Sequence, residues 1–223
     1  MQIDFKKELE LASKSMIMVH DPKLLIKLIV RMLVRKLRIK HAGMLLYDVE
    51  KNAFVLNISQ GKSGFKIPSG FARFNEESPL IKLFSHKEFK PIMSKHNAIV
   101  TGDLNQSIHK DIVSGGDSKS VMELLQKVNT QMQMLNSVAC VPAYYQHRLM
   151  AILLLGDKED QTEYAQDELD FFGALASDAA MAIRNAQLFE RLKKEADRNK
   201  KLFLQTIIVL GSTIEAKDVY THG

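Results

Sequence analysis

Apolar positions along the chain switch between a helical spacing of three and four and the alternation or unbroken runs typical of strands. Phe5, Leu9, Ala12, Met16 and Val19 keep the helical spacing, so residues 2–19 are predicted to form a helix with a seam for another helix. Asp21 and Pro22 open a second helix, because the aspartate can accept from free N–H groups and proline suits the first helical position. Its predicted apolar face is Leu25, Leu28, Ile29, Met32 and Leu33, opposite a basic stripe of Lys23, Lys27, Arg31, Arg35 and Arg38. The period then falls to two. Ala42–Tyr47 and the alternating Phe54, Leu56 and Ile58, joined by the polar turn Val49-Glu50-Lys51-Asn52, predict an antiparallel hairpin that ends at Gly61-Lys62-Ser63-Gly64.

Residues 65–137 are less regular. Ser78-Pro79 predicts a short helix through Leu80, Ile81, Leu83 and Phe84, and Pro91-Ile92-Met93 a short strand. Residues 94–118, rich in Ser, Gly, Asp, Asn and His, read mainly as a mobile loop. Val121–Leu135 returns to helical spacing, with Met122, Leu125, Val128 or Asn129, Met132 and Leu135 on one face. Val138–Tyr145 and Leu149–Leu155 are nearly unbroken apolar runs linked by Gln146-His147-Arg148, as expected for central strands covered on both faces. From Ala165 to about Lys217 the chain reads as helix. Leu169, Phe172, Ala176, Ala179 and Ile183 form one stripe. Phe189, Leu192, Ala196, Asn199, Phe203, Thr206, Leu210 and Thr213 then keep a three–four spacing that predicts a coiled-coil seam, with Asn199 on it as a register-fixing polar residue. The competing reading is an amphipathic helix packed on its own domain.

Composition narrows the class. The 223 residues are 46% hydrophobic and 26% charged, a globular balance rather than a disordered one. No apolar run nears the roughly 18 residues of a membrane span. The charged start Met1-Gln2-Ile3-Asp4-Phe5-Lys6-Lys7 lacks the apolar core of a signal peptide. A cytoplasmic location without a membrane partner is therefore expected. The one cysteine, Cys140, excludes an internal disulfide and a cysteine-based zinc site, and its neighbours Val138, Ala139 and Val141 predict a small buried hydrophobe. The net charge of +5 gathers partly in the basic stripe. With no interleaved aromatics and no helix-turn-helix or RNA-binding signature, the stripe reads as a solvated face, and nucleic acid is not an expected partner.

Two stretches carry family resemblance. Residues 138–192 have an apolar strand ending in Leu155-Gly156, a short acidic loop, Tyr164 before Asp167-Glu168, and a helix of the form LxxxASDAAxAIxNAxLF over 175–189. This resembles the closing strands and exit helix of GAF domains, and the order of elements over about 20–192 is similar too. The resemblance implies an α+β fold: a central antiparallel sheet of five or six strands flanked by helices, with a long C-terminal coiled-coil-like helix. It divides the chain into an N-terminal helix (1–19), a GAF-like sensory domain (20–192) and a linker helix that leads into the truncated start of an output domain (193–223). Residues 210–223, LGSTIEAKDVYTHG, resemble the opening of an HD-GYP phosphohydrolase domain through Glu215, Ala216, Lys217, Asp218, Tyr220, Thr221 and Gly223. That implies a native protein continuing into a metal-dependent phosphodiesterase for cyclic-di-GMP, whose metal cluster these residues do not include.

Against the cyclic-nucleotide motif of some GAF domains, Asp157-Lys158 stand at the Asn-Lys position and Tyr164 at the Phe, but Asp167-Glu168 follow after two residues instead of three. The plainer reading is an ion pair from Lys158 to Asp167 or Glu168 that closes the loop. Residues 65–137 hold no cysteine for a bilin, and none of His86, His96 and His109 is singled out as a haem ligand. No covalently bound cofactor is expected, and no metal. No Gly-x-Ser-x-Gly or P-loop spacing occurs, so no catalysis is expected of this chain. By the family layout a small molecule would sit between a sheet face and the irregular middle segment, near Phe71, Arg73, Phe74, Met93, Met122, Met132, Tyr144 and Tyr145; the same residues equally suit plain core. Arg73 would suit an anion. The expected function is sensing with a signal passed along a helical homodimer whose seam is Phe189, Leu192, Ala196, Asn199, Phe203 and Leu210, toward a C-terminal HD-type output domain. The alternative is a ligand-free dimerisation scaffold for that domain.

Overall fold

The computed structural model describes residues 22–86, 89, 98–109 and 118–221, with backbone alone at 22–23, 107–109, 118–119 and 212–221. The predicted helix 2–19 and the predicted strand at 91–93 lie outside the described residues. The elements run α1 (Pro22–Arg35), β1 (His41–Asp48), β2 (Ala53–Gly61), β3 (Arg73–Phe74), α2 (Pro79–Ser85), β4 (Ile99–Val100), α3 (Thr101–His109), α4 (Ser118–Met134), β5 (Ala139–Tyr145), β6 (Arg148–Leu155) and α5 (Gln166–Thr221). The chain divides into two compact units, residues 1–182 and 183–223.

In the first unit the described strands form one six-stranded sheet in the order β3-β2-β1-β6-β5-β4, every pair antiparallel. Two irregularities set which side chains face which way. The β1–β2 register passes from Leu45↔Leu56 to Met44↔Ile58 and skips Asn57. The β5–β6 register passes from Ala143↔Ala151 to Tyr144↔Leu149 and skips Met150. An extra residue reverses the in–out alternation of its strand. Phe54 and Leu56 on one side of the first bulge therefore share a face with Ser59 beyond it, and Leu149 shares a face with Ile152 and Leu154. That face joins Leu80, Ile81, Leu83 and Phe84 of α2, Leu104 of α3, and Leu125, Val128 and Met132 of α4 in one buried apolar cluster.

Helix α1 packs against β1 and β2. It buries Leu25, Ile26, Ile29, Val30, Leu33 and Val34, while Leu28, predicted to face the core, is exposed. At 100° per residue Leu28 points about 150° from the centre of that set and lies among the basic side chains. Arg38 also leaves the predicted stripe: the helix ends at Arg35, and Arg38 takes a left-handed φ of 54°. The loop predicted over 94–118 holds a strand and a helix at 99–109 instead. Helix α3 starts where the Thr101 N–H and hydroxyl both donate to the Val138 carbonyl, at 2.8 and 3.0 Å, and it is anchored by buried Leu104. Both anchors come from distant sequence, which local composition does not report. Helix α2 gains its cap the same way: Gln131 Oε1 of α4 accepts the Leu80 N–H at 2.9 Å. The start of α5 buries Leu169, Phe171, Phe172, Leu175, Ala176, Ala179 and Ala180.

In the second unit α5 continues with its described side chains largely on the surface. No described helix is long and apolar enough to cross a membrane.

Candidate functional site

Helix α4 ends in a turn whose geometry follows from Asn136. The Asn136 N–H donates to Gln133 O and the Ser137 N–H to Met132 O, with Asn136 left-handed at φ 50°. This is the Schellman arrangement, with asparagine in the place often taken by glycine. It leaves the Asn136 carbonyl aimed at His41, the first residue of β1. His41 is fully buried, with Nδ1 3.0 Å from Asn136 O and Nε2 2.7 Å from Ser59 Oγ. A carbonyl can only accept, so Nδ1 carries the proton and Nε2 accepts from the Ser59 hydroxyl. Ser59 Oγ in turn accepts the Ile67 N–H at 2.9 Å. Burial holds His41 below its ordinary pKa against the opposing pull of the Asn136 carbonyl. The Phe65 ring meets the imidazole edge-on, with centroids 5.3 Å apart.

The segment that leaves β6 locks onto the same corner. The Gly156 N–H donates to His41 O, and a Cβ there would lie 3.0 Å from His41 Cβ and 3.1 Å from two carbonyl oxygens, so any larger residue would press on the backbone of this corner. Lys40 N donates to Asp157 O and Glu159 N to Arg38 O, tying the loop to the α1–β1 connection. The Tyr164 hydroxyl donates to Gly156 O at 2.5 Å, and burial raises its pKa. Lys158 Nζ donates to both oxygens of Glu168, at 2.9 and 3.2 Å, and stands 5.5 Å from the Tyr164 ring centroid. The two charged side chains are 13% and 16% exposed. Glu168 Oε2 also accepts the Ala165 N–H at 2.7 Å, reaching back over the first turn of α5. Of the two carboxylates expected to meet Lys158, Glu168 is the partner; Asp167 is exposed. One carboxylate thus holds both the closing loop and the start of the exit helix.

The residues expected near a ligand divide between core and surface. Met132 lies inside the apolar cluster, with Phe74 and Tyr144 packed against it. The Tyr144 hydroxyl donates to Phe84 O at 2.8 Å, and burial pushes its pKa up to about 12. Phe71 is 64% exposed. Arg73, on edge strand β3, is exposed and donates from Nη2 to Lys51 O at 2.8 Å. Met122 and Tyr145 are half-buried. Met93 and His96 lie outside the described residues, as does the side chain of His109, while His86 is exposed. Cys140 is buried in the cluster, and burial pushes its thiol up to about 12. Among the described residues no group of three or more His, Cys, Asp or Glu could hold a metal ion. Along the expected seam, Phe189, Leu192, Ala196, Asn199, Phe203 and Leu210 are all exposed in the single chain, Phe189 at 72% and Phe203 at 65%.

The His41–Ser59–Asn136 link and the cap role of Glu168 were not foreseen from sequence. A histidine opening an apolar strand and a serine inside its partner strand were the available signals.

The GAF domain model matches residues 21–183. No curated protein matches the chain in sequence. Among solved structures, the fold is similar to the GAF domain of an Acinetobacter phosphoenolpyruvate-protein phosphotransferase (12% identity, 84% of this chain and 97% of that one, TM-score 0.55). It is similar also to the GAF domain of a phosphoenolpyruvate-protein phosphotransferase from Coxiella burnetii (15%, 84% and 97%, 0.55). A third likeness is to free methionine-R-sulfoxide reductase from Neisseria meningitidis in complex with its substrate (14%, 82% and 90%, 0.51). At these identities the likeness concerns the fold.

Proposed function

The chain belongs to the GAF domain family, matched over residues 21–183, and from that premise we propose that it is the regulatory sensor of a larger protein, passing a small-molecule signal along helix α5 of a homodimer to a C-terminal output domain. GAF domains are sensory regulatory domains that bind small molecules. The observation that carries the reading is the Lys158–Glu168–Ala165 clamp, because it fastens the sensor's closing loop to the first turn of the exit helix. A change on the sheet that moves the loop would move the helix. The ligand would sit against the sheet near Phe71, Arg73, Phe74, Met122, Met132, Tyr144 and Tyr145, with Arg73 offering charge to an anion. The output domain is assigned to the HD-GYP class, a phosphodiesterase for cyclic-di-GMP, from the resemblance at Glu215–Thr221 alone. The domain division stays at 1–19, 20–192 and 193–223, and the location at the cytoplasm.

A ligand-free dimerisation scaffold is the second reading. The continuous apolar cluster favours it, since Leu45, Leu56, Met132 and Ile152 bury their side chains against one another where a ligand would need room. Native mass spectrometry of the purified chain separates the two. A dimer carrying an added small mass supports the sensor, and loss of that mass in Arg73→Ala supports an anionic ligand. A dimer that stays bare through a screen of cyclic nucleotides and small anions supports the scaffold. A monomer contradicts both.

A further inference from the structure

Beyond residue 186, α5 carries two apolar rows. Phe189, Ala196, Phe203 and Leu210 form one, and Leu188 and Leu202 belong to the other. Either row completes a heptad seam with the same three positions, Leu192, Asn199 and Thr206. The rows are neighbours in sequence and lie about 100° apart around the helix. Leu188, Phe189, Leu192, Leu202, Phe203 and Leu210 are all exposed in the single chain. The rows differ decisively at one level, where the first has Ala196 and the second has Glu195.

We propose that two copies of this chain pair through α5 in parallel and in register, and that Glu195 selects the row of Phe189, Ala196, Phe203 and Leu210 as the seam. The occupant is a second copy, so the inference rests on the homodimer reading above. A heptad stripe follows a helix only when a partner of the same period winds around it. Leu202, Phe203, Leu204, Ile207, Ile208 and Leu210 make the distal stretch apolar on nearly every side, while 190–201 is mostly charged. A helix apolar all round is a buried helix. Parallel pairing lays the apolar block on its own copy; antiparallel pairing over the full length would lay it against the charged block. In the parallel arrangement with the Phe189 row inward, Glu195 takes the flanking position five residues before Lys200, the spacing at which opposite charges meet across the seam. Turning the helix to bring Leu188 and Leu202 inward would carry Glu195 into the seam and desolvate its carboxylate next to its own copy. The two rows thus offer two helix rotations, with one side chain biasing the choice.

Disulfide cross-linking of the full chain tests this, with Phe203→Cys and Leu202→Cys as reporters; buried Cys140 does not compete. The expected result is several-fold faster dimer cross-linking at 203 than at 202, with the preference moving toward 202 once Glu195→Leu is added. Swapping the pair, Glu195→Lys with Lys200→Glu, should restore the 203 preference that Lys200→Glu alone weakens. A dimer that cross-links at both reporters with no response to Glu195→Leu or to the charge swap overturns the inference and leaves the dimer standing. A chain that sediments as a monomer and cross-links at neither position overturns the dimer reading itself.

Discussion

Replacing Glu168 by alanine removes two interactions at once. The first is the ion pair with Lys158, whose side chains are 13% and 16% exposed. Breaking a fully buried pair costs about 3–5 kcal/mol, because the surviving charge is stranded; the residual exposure here lets water reach the ammonium and lowers that to roughly 1–3 kcal/mol. The second is the acceptor for the Ala165 N–H at the start of α5, and losing a cap costs about 1 kcal/mol. Glu168→Ala should therefore destabilise the sensor by about 2–4 kcal/mol. For a domain of this size, that lowers the melting temperature by roughly 5–15 °C. Glu168→Gln keeps an acceptor for Ala165 and should recover the cap share alone. Urea unfolding of wild type, Lys158→Met, Glu168→Gln and the double variant closes a cycle whose coupling should be about 1–2 kcal/mol. A coupling near zero, or Glu168→Ala within about 0.5 kcal/mol of wild type, would refute the claim that this carboxylate clamps loop to helix.

Other outcomes follow from the same corner. Burial holds His41 below the ordinary histidine value of about 6.5 in the folded chain, so below that pH the unfolded chain binds the extra proton more readily. Stability is then full above about pH 6.5 and falls as pH drops toward the folded value; urea midpoints should decline on acidification, and a His41→Gln variant that declines as steeply would contradict this. Tyr164→Phe strands the Gly156 carbonyl and should cost about 1–2 kcal/mol in chemical denaturation, whereas an unchanged midpoint would mean the bond contributes nothing. Cys140, buried with its thiol pushed up to about 12, should resist alkylation at mildly alkaline pH until denaturant is added. Rapid labelling of the native chain would show that the core opens there.

Much of the architecture was legible because burial on two faces and burial on one face leave different periods. The run Leu149–Leu155 announced a central strand, and Phe54 and Leu56 a strand covered more on one side, although the bulge at Asn57 turns Ile58, expected on the same face, to the other one. Facing was not legible. An unbroken run has no parity, so nothing in LMAILLL reveals that Met150 is the bulged residue and that Leu149 shares a face with Ile152. Helix α3 escaped notice because its anchors, the Val138 carbonyl and the pocket around Leu104, belong to strands and helices distant in sequence. The closing loop was half legible. Spacing nominated Lys158 with either acid, but the choice of Glu168 depends on the third residue of a helix reaching back to its start. The His41 site was illegible, since its acceptor is a backbone carbonyl whose direction is set by the left-handed turn at Asn136.

The proposed homodimer depends on α5 joining two copies of this chain. Sedimentation equilibrium of the purified chain across a wide concentration range tests it most directly, with Phe203→Glu run in parallel. The wild type should be a dimer at low micromolar concentration, and Phe203→Glu should shift it to monomer with the fold intact by circular dichroism. A wild-type chain that remains monomeric at high micromolar concentration, or a Phe203→Glu dimer as tight as the wild type, would contradict it.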